Sequence, residues 1–228
     1  MVISCLHIHK NNLSNELNLN IRSYERILDF SKKIKVKKII YISSVNASED
    51  RSLSYSYTKF IIEKIISTYQ NYAIIRPSTI ISIDQKNKLV GGRNRSSFKL
   101  YEKFFKYNIP VPIIGDGKYL FTFCFLKNLV NFVLLLVDED VFSNKKVNFF
   151  SGEYLNFVEF IEKVSLIKNR KIYKFFIPLK FINFLYLLKI LNKKKIDNLF
   201  SQNICFNYNK EIESKIKINK LNELINVA

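Results

Sequence analysis

The sequence predicts an α/β fold with a doubly wound parallel sheet. Three observations point there. The apolar runs "VISCLHI" (2–8), "KKIIYIS" (37–43) and "YAIIRP" (72–77) are short and continuous, as strands buried on both faces should be. Stretches with helical spacing of apolar residues separate them, at 15–34 and 55–70. The resulting order, strand–helix–strand–helix–strand, is that of parallel strands joined by crossover helices.

Each element has its own justification. "NELNLNIRSYERILDFSKKI" shows apolar residues at helical spacing and reads as a helix. The strand at 37–43 is β-branched and stops at the pair Ser43–Ser44. The strand at 72–77 is stopped by Pro77. After residue 84 the rhythm changes. "DQKNKLVGGRN" (84–94) reads as a polar loop and 97–107 as a helix. In "IPVPIIGDGKY" (109–119), Pro and Gly mark turns around a short strand. A helix at 127–137, a strand at 145–151, helices at 155–168 and 178–193, and a basic tail helix near 209–225 complete the reading. The domains are expected at 1–84 and 85–228, with 145–151 returning to the first sheet.

Composition narrows the function. The chain has 228 residues, is 48% hydrophobic and carries a formal net charge of +18. The apolar fraction excludes a disordered chain. The basic excess is mostly lysine, in a chain also rich in Asn, Ile, Phe and Tyr, so it reads as a general compositional bias. A nucleic-acid-binding module would rest on charge alone, without a recognised motif, and no nucleic-acid partner is expected. A basic surface does favour anionic ligands such as nucleotide diphosphates. Cys5, Cys124 and Cys205 are scattered and lack metal spacing, so no metal site is expected and the compartment reads as a reducing cytoplasm. The opening residues do not read as a secretory leader. The apolar stretches 120–137 and 175–191 are interrupted by Lys127, Asn128, Pro178, Lys180 and Lys189. They read as core helices rather than membrane spans, which need ~20 mostly apolar residues.

The most informative stretch is "YISSVNASEDRSLSYSYTKFIIEKII" (41–66). Tyr55 and Lys59 are four apart and share one helix face. Ser44 follows the carboxyl end of a strand, where doubly wound sheets bind ligands. A tyrosine acting as acid or base near neutral pH must lose part of its ordinary pKa of about 10, and a neighbouring ammonium favours the phenolate. Lowering it by ~3 units corresponds to about 4 kcal/mol. A serine hydroxyl nearby can hold the substrate oxygen that gains or loses the proton. Ser44, Tyr55 and Lys59 are together chemically complete for proton transfer beside hydride transfer.

These residues resemble the extended short-chain dehydrogenase/reductase family, the NAD-dependent epimerases and dehydratases of nucleotide sugars. The resemblance is carried by "YISS" (41–44), "YSYTKFIIE" (55–63) and "IIRPSTII" (74–81), in that order. Upstream, an Asn-led helix precedes that strand as in the family, and the count from Asn20 to Ser44 fits. Downstream, "VPIIGDGKYLFTFCFLKNLV" and "NFFSGEYLNFVEFIEKV" are similar to later family segments. The resemblance implies a Rossmann-like sheet and an NAD or NADP cofactor, with a nucleotide-sugar substrate. It makes Tyr55 the general acid/base and Lys59 the holder of the nicotinamide ribose, with Ser44 on the reacting oxygen. Asn20 would support the site. Leu6, His7 and Pro77 would lie along the cofactor with Tyr55 and Lys59, and Thr79 would touch substrate. Arg93 and Arg95 are expected either to clamp a diphosphate or to be solvated loop residues. His7 and His9, which lack carboxylate or cysteine partners at ligand spacing, also read as structural or loop residues.

The chain departs from the pattern in places. None of Gly91, Gly92, Gly115, Gly117 and Gly152 follows a first strand, so no Gly-x-x-Gly-x-x-Gly turn for a pyrophosphate is seen. The strand at 2–8 matches the family's fourth. Asn128 stands where the family has an acidic residue. The expectation is therefore a truncated or fragment form of an epimerase, dehydratase or reductase. The alternative is a cofactor-less degenerate member acting as a scaffold or binding subunit. An exposed sheet edge implies a homodimer, or a partner supplying the missing strands.

Overall fold

The structure is a computed structural model. It describes residues 1–8, 13–51, 54–83, 89–91, 103–138, 142–150, 153–167, 169–187, 212 and 215–218. The described residues form two compact units. The first holds Met1–Ser78 and Leu129–Phe149 with a short piece near residue 212. The second holds Thr79–Asn128 and most of the chain from Phe150 onward.

The first unit is built on a four-stranded parallel sheet. Its strands are β1 (Val2–Ser4), β2 (Ile39–Ile42), β3 (Tyr72–Pro77) and β9 (Lys145–Phe149), in the order β1-β2-β3-β9. Ile39, Ile40 and Tyr41 of β2 are fully buried, as a central strand covered on both faces must be. The three strands read from the sequence at 2–8, 37–43 and 72–77 are thus adjacent and parallel, with Val2 beside Ile39 and Ile39 beside Tyr72. β1 is shorter than the apolar run suggested and is an edge strand.

Helix α1 (Leu13–Lys33) crosses from β1 to β2, with Glu16 in its first turn and Lys32 and Lys33 in its last, each sign matching the helix dipole. It ends in a Schellman turn. Lys35 takes a left-handed φ of 51°, Val36 N–H donates to Ser31 O (2.9 Å) and Lys35 N–H to Lys32 O (3.1 Å). Helix α2 (Ser54–Ile66) crosses from β2 to β3. Tyr24, Leu28, Ile39, Tyr41, Ile62 and Ile74 form a common core between these helices and the sheet.

The second unit contains β4 (Thr79–Ile83), β5 (Leu89–Gly91), β6 (Val111–Ile114), β7 (Leu120–Phe121), β8 (Phe123–Phe125), β10 (Leu155–Asn156) and β11 (Lys174–Ile177). They make small ladders, β5-β4-β8, β10-β7 and β11-β6. Helix α4 (Phe157–Ile167) packs Phe157, Phe160, Ile161 and Val164 into a core with Val111, Ile113 and Phe123. Helix α3 (Leu126–Asp138) falls mostly in the first unit, and α5 (Leu179–Leu187) in the second. The stretch 120–137 is therefore two short strands and a helix, and the described part of 175–191, up to residue 187, a strand followed by a helix. No helix among the described residues is long and apolar enough to cross a membrane. The tail helix expected near 209–225 lies largely outside the described residues.

Candidate active site

The carboxyl ends of β2 and β3 set the frame. Ser43 N–H donates to Ile75 O (2.7 Å) and Val45 N–H to Pro77 O (3.2 Å), so the segment after β2 follows the end of β3. The two serines are used differently. The Ser43 hydroxyl donates to the Glu63 carboxylate of α2. Ser44, at the start of the turn, accepts the Asn46 N–H on its Oγ (3.2 Å), which leaves its own proton to donate.

Lys59 is only 2% exposed. Its ammonium donates to Ile42 O (2.9 Å), at the end of β2 and two residues before Ser44. It lies 4.7 Å from the Tyr41 ring centroid and 6.0 Å from that of Tyr55. A buried ammonium needs such partners, and the ring faces add cation–π attraction. Tyr55 and Lys59 reach one place because they are one helical turn apart on α2.

Tyr41 in turn stands edge-on to Tyr24, with centroids 5.2 Å apart. Tyr24 accepts from Ser4 Oγ (2.9 Å) and donates to Leu6 O (2.9 Å). Burial pushes the Tyr24 phenol up to about 12, against a partial lowering by the Ser4 bond. Burial pushes Tyr41 up further still, helped by the nearby Tyr24, Tyr55 and Glu63. Both are thus held neutral, and Tyr55 beside them is half-buried.

Asn20 is fully buried. Its side-chain oxygen accepts Ile8 N–H (2.9 Å), and its amide donates to Ile8 O (2.8 Å) and Glu16 O (2.7 Å). It clamps the segment after β1 onto α1. In that segment Leu6 is 42% exposed, whereas the His7 side chain is 1% exposed and its Nε2 lies 3.1 Å from Glu16 Oε1. The His7 ring meets the Tyr55 ring edge-on, with centroids 4.9 Å apart. His7 therefore has a carboxylate partner, though not at a metal-ligand spacing. Glu16 is nine residues away in the sequence, and no local pattern links the two. His9 lies outside the described residues.

Leu6, His7, Asn20, Ser44, Tyr55, Lys59 and Pro77 all belong to the first unit, and Thr79 opens β4 of the second, beside Phe123. Arg93 and Arg95 lie outside the described residues. Among the described residues no group of three His, Cys, Asp or Glu side chains is placed to hold a metal ion.

Known proteins bear on this arrangement. Residues 4–149 match the model of the NAD dependent epimerase/dehydratase family. The chain belongs to that family. Among solved structures it is similar to UDP-glucuronic acid 4-epimerase from Bacillus cereus in complex with NAD, with 18% identity and a TM-score of 0.61 over 76% of this chain and 60% of that one. It is also similar to dTDP-4-dehydrorhamnose reductase from Bacillus anthracis in complex with NADP (15% identity, TM-score 0.60, 78% of this chain and 65% of that one). A third is UDP-N-acetylglucosamine 4-epimerase from Methanobrevibacter ruminantium in complex with UDP-N-acetylmuramic acid (16% identity, TM-score 0.59, 77% and 63%). The chain spans 60% of the length of the Bacillus cereus epimerase. Comparison with curated protein sequences finds no significant match.

Proposed function

We propose that this chain carries the proton-transfer centre of an NAD(P)-dependent enzyme acting on a nucleotide-linked sugar, as an epimerase, dehydratase or reductase. The observation that carries the reading is the placement of Lys59. Its ammonium is tied to the carboxyl end of β2 and lies near the ring of Tyr55. The likeness to epimerases and a reductase bound to NAD, NADP or a UDP-sugar supports it.

Tyr55 is the general acid/base. Lys59 stabilises its phenolate, and Ser44, whose hydroxyl proton is left to donate, holds the sugar oxygen that gains or loses a proton. Asn20 fixes the segment carrying Leu6 and His7. When bound, the nicotinamide cofactor supplies the hydride acceptor or donor. The chemistry of the donor set fits one end of that group, since a phenol and an ammonium one helical turn apart suit the paired hydroxyls of a ribose. Leu6 and Pro77 are assigned to its border, and Thr79, Arg93 and Arg95 to the substrate. The glycines of this chain include no Gly-x-x-Gly-x-x-Gly turn for the pyrophosphate. Cofactor affinity of the chain by itself is accordingly expected to be weak, because each charge-assisted hydrogen bond lost is worth ~1.5–3 kcal/mol.

The test is turnover of UDP- and dTDP-linked sugars with NAD(H) or NADP(H), by the wild type and Tyr55→Phe, alongside titration of each nucleotide. The reading expects Tyr55→Phe to lower turnover about 100-fold or more, as loss of general acid/base catalysis does, with nucleotide affinity kept. Equal turnover would refute the role. Saturable sugar-nucleotide binding with no nicotinamide binding at any concentration would favour a cofactor-free binding subunit.

A further inference from the structure

We propose that Glu16 holds His7 in its charged form against the edge of Tyr55, so that two cations flank this phenol, His7 on one side and Lys59 on another. The proposal rests on the reading of Tyr55 as the acid/base. It assigns His7 and Glu16 as positioning residues for it.

The geometry brings three elements to one point. His7 comes from the segment after β1, Glu16 from the first turn of α1, and Tyr55 and Lys59 from α2. The His7 and Glu16 side chains are 1% and 6% exposed, with Nε2 and Oε1 3.1 Å apart. A carboxylate so buried favours a proton on the imidazole it faces, working against the burial that opposes a charged ring. Ser54, at the start of α2, adds a donor to the same Glu16 oxygen at 3.4 Å, which ties the carboxylate to the helix that carries Tyr55. Near Tyr55 lie His7 from the β1 segment, with Glu16 of α1 behind it, and Lys59 of α2; Glu63 of α2, which faces Tyr41, is paired with Arg76. A phenolate formed there is favoured over one served by Lys59 alone, and the His7 and Tyr55 titrations become coupled. Mere ring packing between His7 and Tyr55 would do neither.

The chain has two histidines and thirteen tyrosines, so both groups can be followed by NMR in the protein as it stands, without cofactor or substrate. His7 is assigned by its loss in His7→Phe, and Tyr55, in [13Cζ]tyrosine-labelled protein, by its loss in Tyr55→Phe. The expected result has three parts. His7 titrates above the ordinary histidine value of about 6.5. Glu16→Gln lowers the His7 midpoint and raises that of Tyr55, by about one unit or more if a nearby charge has its usual effect. His7→Phe, which keeps an aromatic edge on Tyr55, also raises the Tyr55 midpoint. A His7 midpoint at or below the ordinary value would overturn the proposal, as would a Tyr55 midpoint unmoved by either variant. These readouts stand apart from turnover, so an inactive protein showing the expected shifts would refute the enzymatic reading while keeping this one.

Discussion

The Arg76 guanidinium closes on the Glu63 carboxylate in two bonds, Nε to Oε1 at 2.8 Å and Nη2 to Oε2 at 2.5 Å. Glu63 is fully buried and lies one helical turn beyond Lys59 on α2, whereas Arg76 is the penultimate residue of β3. Ser43 donates to the same carboxylate and Lys146 of β9 approaches it at 3.6 Å. One side chain thus fastens α2 to the carboxyl ends of β2 and β3 and to the start of β9, and with α2 it fixes Tyr55 and Lys59.

Arg76→Ala should therefore be strongly destabilising. It leaves a buried carboxylate with only the Ser43 hydroxyl and a half-exposed lysine, and breaking such a pair costs about 3–5 kcal/mol. Urea unfolding checks this, and the double change Glu63→Leu with Arg76→Leu should recover much of the loss, because it removes the orphaned charge. A single-variant loss near zero would show that the pair does not hold α2.

Asn20 gives a second expectation. All three of its bonds go to peptide groups, at part-buried Ile8 and buried Glu16. Asn20→Asp keeps the size but turns a double donor into an acceptor facing two carbonyls. It should cost at least the ~1–3 kcal/mol of unsatisfied buried groups, and speed amide hydrogen exchange at Ile8. Undiminished protection at Ile8 would mean that the segment after β1 is held by something else.

Much of this architecture is legible from residues alone, and the gaps have physical causes. β2 and β3 announce themselves because buried parallel strands are continuous β-branched runs. β4, directly after Pro77, does not, since a proline reads as a strand stop. In the fold Pro77 still pairs with Phe149 across β9, and its missing N–H would point to the side where β2 has already ended. Tyr55 and Lys59 are legible because four residues is one helical turn. The His7–Glu16 pair is not, because its members are nine residues apart and no helical or strand period spans that distance. Glu63 and Arg76 each sit in a recognisable stretch, but only the crossover from α2 to β3 makes them partners.

Alkaline pH should unfold the first unit through its buried tyrosines. Tyr24 and Tyr41 are raised in the folded state, chiefly by burial, from an ordinary value of about 10. Their contribution is intact below that value. It is lost as pH rises from about 10 through about 12, where the unfolded chain has ionised its tyrosines and the folded one has not. The loss should be about 1.4 kcal/mol per pH unit for each such group. Denaturant unfolding at stepped pH checks it: Tyr24→Phe should make the alkaline slope shallower by one group. An identical slope in the variant would remove Tyr24 from the account.

The turn between β6 and β7 separates two glycines that look alike in "GDG". Gly115 and Gly117 both take left-handed φ, 66° and 69°, so alanine at either meets the backbone cost of roughly 1–2 kcal/mol. Their surroundings differ. A Cβ on Gly115 would find Leu179 Cγ at 3.4 Å, ordinary contact. A Cβ on Gly117 would lie 2.6 Å from Val158 Cγ2 and 2.7 Å from Ile113 Cγ2, inside atoms that cannot both retreat, since Ile113 is fully buried and Val158 packs on the same core. Forcing extra carbon into a packed core costs about 1–3 kcal/mol more. Gly117→Ala should thus be the more destabilising of the two by that margin in thermal or urea unfolding. Val158→Ala, which removes one of the two clashing methyls, should recover part of the difference in the Gly117→Ala background while giving none in the Gly115→Ala background. Equal losses at the two glycines would mean that the turn, rather than the core behind it, sets the requirement.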